Sequence, residues 1–295
     1  MIRRGRARMA EQVFCAFEAK NTLGEGPLWD PATKRLYWFD IKQAELYWGD
    51  PSNNKLGHWK LPCRASAAAI RSGGGLLLAT EQGLANFDPG AGAFELRWKW
   101  EPEPGFRSND GKIDVAGRFW WGTMDDDHGA RPGKLYRYDP DGRCEPQVDG
   151  IHIVNTVSCS PDGRTYYLAD SRKGEIYAFD IDREGRLSNR RVFAHVDKGA
   201  PDGSAVDAEG YLWNCQWGGG RIVRYAPDGS VDRIVEVPVE QPSSCAFGGP
   251  DLTTLFITTA REYLSEEVLS RQPLAGSVLA VETGVKGLAL PTFDG

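Results

Sequence analysis

Apolar residues in this chain come in short bursts. Leu36-Tyr37-Trp38-Phe39, Thr165-Tyr166-Tyr167-Leu168 and Leu255-Phe256-Ile257-Thr258 are rich in β-branched and aromatic side chains and sit between polar residues. Runs this short favour strands and cannot make helices. Between them stand Asp162-Gly163, Glu209-Gly210 and Asp228-Gly229, hairpin turns that use glycine's tolerance of positive φ. The unit of strand, loop, strand and turn then repeats. Its clearest copies are Ser160 to Gly185, Asp207 to Gly229 and Asp114 to Gly142. Trp29 to Pro51 is a fourth copy and Arg71 to Gly92 a looser fifth. The sixth, Gly248 to Ala260, resumes at Gly276 to Glu282 after an insertion.

The turn anchors Asp30, Gly73, Ala116, Asp162, Ala208 and Pro250 lie roughly 42–46 residues apart, the period of a propeller blade. Six units of about four strands predict an all-β fold, a six-bladed β-propeller around a central channel. A closed ring also hides the sheet edges that an open array exposes. The Gly-His and Trp-Asp marks of WD40 repeats do not recur from copy to copy, and Trp29-Asp30 is a single misplaced instance. If the innermost strand A of each blade runs from top to bottom, the entrances to strand A and the B–C loops share the top face.

Composition narrows the functions such a ring can serve. The 295 residues carry a net charge of -6 with pI ≈ 5.4, which argues against nucleic acid or an anionic membrane surface. No apolar run is long enough to span a bilayer. Residues 1–10, MIRRGRARMA, lack the apolar core of a secretory signal and are expected to form a disordered tail, with Met9 an alternative start. Residues 11–295 are expected to form one domain. The six cysteines include no C-x-x-C pair, so reduced cytosolic thiols are expected. The four histidines have no metal-site spacing.

Reading back five to seven residues from each A–B turn finds a polar residue at the entrance to strand A. These are Glu25, Asn109, Asn155 and Asp202 in the first, third, fourth and fifth blades, Arg64 and Ser66 in the second, and Ser243 and Ser244 in the sixth. Each alone is an ordinary turn residue. Their shared register would bring two carboxylates and amide oxygens to one channel mouth, a set suited to a hard divalent cation. There is no G-x-S-x-G elbow, and Ser66, Ser204, Ser243 and Ser244 are expected to make strand hydrogen bonds. The acidic loop Asp125-Asp126-Asp127-His128-Gly129 offers a second cation site or a solvated surface. The insertion from Arg261 to Leu274 contains Ser265-Glu266-Glu267, an N-cap followed by early acids, and predicts a helical turn. Trp217 is expected at the rim, stacking on a sugar or packing there.

Leu23-Gly24-Glu25-Gly26-Pro27-Leu28-Trp29, Asn109-Asp110-Gly111-Lys112-Ile113-Asp114 with Gly122-Thr123-Met124, Pro201-Asp202-Gly203-Ser204 and Cys245-Ala246-Phe247-Gly248-Gly249 resemble the senescence-marker-protein (regucalcin)/gluconolactonase family. Val285-Lys286-Gly287 also fits, and the resemblance runs from about Glu11 onward, with motifs in five of six blades in order. It implies one divalent metal ion in the channel and hydrolysis of a sugar lactone to the aldonic acid. By resemblance Glu25, Asn155 and Asp202 are the metal ligands, and Arg107 and Asn109 contact substrate. Asp202 is also the expected general base. The ion is Ca, Mg, Mn, Zn or Fe; an oxygen-only set favours the hard ones. The expected partner is a small sugar lactone, met in the cytoplasm by a monomer or weak homo-oligomer. Two alternatives use the same residues: a calcium-binding regulatory protein without turnover, and a promiscuous esterase or organophosphate hydrolase.

Overall fold

The computed structural model describes residues 12–295; the expected tail, 1–10, lies outside the described residues. Six four-stranded antiparallel sheets form the blades. In the first five, strands A to D follow chain order, as in Gly24–Asp30, Arg35–Asp40, Glu45–Asp50 and Lys55–Lys60 of the first blade. Each A strand lies beside the A strands of both neighbouring blades, the first against the sixth included. The fold is therefore a closed six-bladed β-propeller.

The sixth blade is assembled from both ends of the chain. Its A, B and C strands are Pro242–Gly248, Thr254–Thr259 and Val278–Glu282. Its outer strand is Val13–Phe17, which pairs with the C strand so that Val13 faces Val281. The repeat pattern did not foresee this closure, because the closing strand stands outside the six copies.

Position in the blade explains the sequence pattern. B strands are covered on both faces by neighbouring blades, so all of Phe119–Asp125 is buried. D strands face solvent and alternate, as in Lys55–Lys60. Side chains on successive strand residues point to opposite faces. Trp121 accordingly packs with Ala67, Ala69 and Leu77 between the second and third blades, while Trp120 packs with Tyr166 and Leu168 between the third and fourth. The indoles of Trp120 and Trp213 donate to Asp114 (2.8 Å) and Asp207 (2.9 Å), which satisfies their buried N–H groups.

A C-terminal strap closes the bottom of the ring. Gly287 N donates to Leu252 O (2.7 Å) and Phe293 N to Ile70 O (2.7 Å). Phe293 is buried and stacks on Tyr138 at 5.4 Å. The strap thus ties the sixth blade to the second and third.

Candidate active site in the channel

The polar residues named from sequence sit within the A strands, near their top ends, rather than ahead of them. Glu25 and Asn155 are second in Gly24–Asp30 and Val154–Cys159; Asp202 is third in Ala200–Val206; Asn109 is fourth in Phe106–Ile113. All four are buried. What aims them into the channel is a β-bulge in each A strand. Pairing jumps between Glu25 and Leu28, Ser108 and Gly111, Asn155 and Ser158, and Pro201 and Ser204. Shorter jumps occur at Ala65/Ala67 and Pro242/Ser244. A bulge sets an extra residue against its partner strand and turns side chains out of the regular alternation.

The bulges require unusual backbone. Gly26 has φ +55°, and a Cβ there would stand 2.3 Å from Ser66 O of the next blade. Thr156 takes the equivalent place after Asn155 with φ 58°, a conformation costly for a β-branched residue. Its hydroxyl donates to Asp202 O (2.7 Å). The serines likewise join neighbouring blades: Ser66 Oγ donates to Ser108 Oγ (2.8 Å), Ser204 Oγ to Thr156 Oγ1 (3.1 Å), and Ser243 Oγ to Gly24 O.

One hydrogen-bonded chain links the proposed substrate contacts to the proposed ligands. Arg107 Nη1 donates to Asn109 Oδ1 (2.7 Å). Asn109 Nδ2 donates to Asn155 Oδ1 (3.1 Å) and Val154 O (3.0 Å). Asn155 Nδ2 donates to Ser171 Oγ (2.7 Å), and Ser171 Oγ to Pro201 O (2.6 Å), next to Asp202. Because guanidinium can only donate, each amide's orientation follows from the one before.

Electrostatics mark the same place. Burial, then the charge of Asp110, pushes the Glu25 carboxyl up to about 8; the Gly26 N–H, Arg107 and Lys112 oppose this. Burial, then Glu25 and Asp110, raises Asp202 well above the carboxylate range. Asp110 is itself raised by burial, although Lys112 and the Val157 and Gly111 N–H groups favour its charge. Three carboxyls thus crowd one desolvated channel, where like charges disfavour ionisation.

That crowding tests the fit to a cation. Among the described residues no group of three His, Cys, Asp or Glu side chains is placed to hold a metal. Glu25, Asn155 and Asp202 are two carboxylates and one amide. Their oxygen-only chemistry fits a hard divalent ion, which would offset the charge that burial and Asp110 leave unfavourable.

Several features of the site were not read from sequence. Asp110 and Lys112 belong to the third-blade motif, but only the bulge reveals that Asp110 enters the channel. Asn214 lies on a B strand; its Nδ2 donates to Asp202 O (3.0 Å), and its buried Oδ1 has no hydrogen-bond donor. The acidic loop is not a second cation site, because its carboxylates hold basic side chains instead. Asp125 accepts from Arg131 Nε (2.8 Å), and Asp126 accepts from Lys42, Arg64 and Arg107. Ser265 does cap a short helix, Glu266–Arg271. Trp217 is partly buried against the cluster containing Leu23 and Ala260, so it packs at the rim.

The chain matches the family model described as SMP-30/Gluconolactonase/LRE-like region over residues 23–261. It is 39% identical to an L-arabinolactonase of Azospirillum brasilense, covering 97% of each chain. It is 35% identical to a 6-deoxy-6-sulfogluconolactonase of Pseudomonas putida, covering 97% of this chain and all of that one. A crystal structure of a calcium-binding protein, regucalcin, from Agrobacterium tumefaciens superposes with a TM-score of 0.91 at 33% identity, over 97% of each chain. Blade number, channel residues and whole-length similarity agree: the chain belongs to the SMP-30/gluconolactonase/LRE-like family.

Proposed function

We propose that this protein hydrolyses a sugar lactone to the aldonic acid, with Asp202 as general base and Arg107 and Asn109 as substrate contacts. The observation that carries the reading is the pair of buried carboxyls, Glu25 and Asp202, in the channel reached by the hydrogen-bond chain from Arg107 through Asn109 to Asn155. Relatives named as lactonases over their whole length support it. A divalent cation held by Glu25, Asn155 and Asp202 would polarise the lactone carbonyl and relieve charge on its oxygen. Water oxygen bonds to the carbonyl carbon while Asp202 takes the water's proton. The bond from that carbon to the ring oxygen then breaks, and Asp202 returns the proton to the leaving alkoxide. Arg107 donates to sugar hydroxyls and to the carboxylate as it forms.

The test is to strip the protein of metal, then assay gluconolactone, pentonolactones and an aryl ester against a panel of divalent ions. The expected result is metal-restored lactone turnover that Asp202→Ala lowers at least ~100-fold with the fold intact. Near-normal turnover by Asp202→Ala overturns the assignment. Metal binding without turnover of any substrate favours a calcium-binding regulatory role, and faster aryl ester cleavage favours an esterase.

A further inference from the structure

We propose that Asp126 is a positioning and specificity residue. It fixes the guanidinium of Arg107 toward the channel and, by occupying three cations at the mouth, favours neutral lactone over anionic product. The inference rests on the lactonase reading.

Asp126 follows the B strand of the third blade and reaches back over the channel mouth. Its Oδ1 accepts from Lys42 Nζ (2.9 Å) and Arg107 Nε (2.8 Å), and its Oδ2 from Arg64 Nη1 (2.8 Å). Those donors come from the first, third and second blades. Burial opposes ionisation of Asp126, but the Lys42, Arg64 and Arg107 hydrogen bonds outweigh it and hold the carboxyl well below the usual range. This loop anchor therefore stays charged.

Two consequences follow from that contact set. The first is orientation. The Arg107 side chain is 5% exposed, and its guanidinium is gripped from two sides: Nε by Asp126, Nη1 by Ser108 O (3.0 Å) and Asn109 Oδ1. A planar fork held in this way keeps a fixed direction. Because Arg107 also sets the Asn109 amide, and Asn109 meets Asn155, the grip of Asp126 extends to the proposed ligand shell. The second is charge. Lys42 also pairs with Glu262 (3.0 Å) from the sixth-blade insertion, and Arg64 with Glu81 (2.6 Å). Lys42, Arg64 and Arg107 are thus matched by Asp126, Glu262 and Glu81, and this cluster is balanced. Without the Asp126 carboxylate it would carry one net positive charge.

A neutral lactone enters and an anionic aldonate must leave. A mouth whose cations already hold carboxylates offers the product little attraction beyond its Arg107 contact. Freeing those cations would retain it, since unpaired cations in a concave site attract anions.

The experiment compares the metal-loaded unmodified protein with Asp126→Asn and Asp126→Glu. It measures kcat and KM for gluconolactone, and gluconate affinity by calorimetry. In Asp126→Asn the KM for gluconolactone should rise about tenfold with kcat within roughly threefold, while gluconate binds about tenfold tighter. Asp126→Glu should restore both toward the unmodified values. Opposite shifts for a neutral and an anionic ligand separate this role from mere loop anchoring. Equal weakening of both ligands, or no change in either, overturns the proposal. So does gluconate binding too weak to detect in every protein. If the unmodified protein turns over no lactone yet gluconate affinity tightens in Asp126→Asn, the lactonase reading fails and the role of Asp126 in mouth charge stands.

Discussion

The two halves of the channel are lined by the same six strands and have opposite character. At the bulges, Glu25, Asn109, Asp110, Asn155 and Asp202 are buried together. Below them, Ala68, Ile113, Val206 and Phe247 meet the strap residues Leu288 and Leu290 around a cavity of about 330 Å³. Lys112 marks the boundary: it lines the cavity, and its ammonium donates to Ser204 O. The difference lies in where each strand breaks its pairing, since residue alternation alone would make the halves alike. One half holds desolvated charge, which opposes stability. The other contributes apolar burial, which supports it.

If that division is right, substitutions in the two halves should have opposite signatures. The largest contrast pairs Phe293→Ala with Asp202→Ala. Truncating buried Phe293 should cost about 3–5 kcal/mol in denaturant unfolding and leave kcat unchanged in the folded fraction. Asp202→Ala should remove turnover but leave metal-free stability equal or higher, because it deletes a carboxyl whose ionisation burial and the neighbouring Glu25 and Asp110 disfavour. An Asp202→Ala variant that unfolds easily would break the comparison.

A smaller effect is graded by pH. In the metal-free protein Glu25 titrates at about 8, against an ordinary value of 4.5. Between those values the folded state holds a proton that the unfolded state has released. The associated stability is complete below about pH 4.5 and is lost as pH rises through about 8. With chelator present, Tm should therefore fall from pH 5 to pH 8. Glu25→Gln should make the fall shallower, with Asp202 and Asp110, which burial also raises, keeping part of it, and excess Ca²⁺ should do the same. A metal-free profile already flat across that range would show that the upper half carries no such strain.

The smallest effect concerns the rim. Ser265 Oγ accepts from Val268 N (3.3 Å) at the start of the insertion helix. Ser265→Ala should cost at most about 1 kcal/mol, seen as faster amide exchange confined to the helix. A global loss of stability would instead tie the rim to the core.

Much of this was legible in the sequence, for a local reason. Strand B of each blade is a short apolar run, aromatic in all but the second blade and closed by turn residues, so blade number and order could be counted from Leu36 to Thr258. The register of Glu25, Asn109, Asn155 and Asp202 was visible too, because each stands five to seven residues ahead of an A–B turn. What stayed hidden depends on distant partners. Val13–Phe17 reads as an isolated short strand until Val278–Glu282 is beside it. The bulges escape because Glu25-Gly26 and Asp202-Gly203 look like turns, and because Asn155-Thr156 gives no sign that Thr156 adopts positive φ. Asp126 looked like a solvated or metal-binding acid because its three cations come from separate blades.

The seam between Val13 and Val281 also sets an order of events. Val13–Phe17, the first strand among the described residues, must wait for almost the last before it can pair. Until then the growing ring has two open sheet edges, each able to recruit a foreign strand. Closure joins residues far apart in sequence, the slow kind of contact in folding, and protection against aggregation arrives with it. A ribosome carrying the first five blades therefore holds five sheets but no finished ring, and the final blade acts as the latch for all the others.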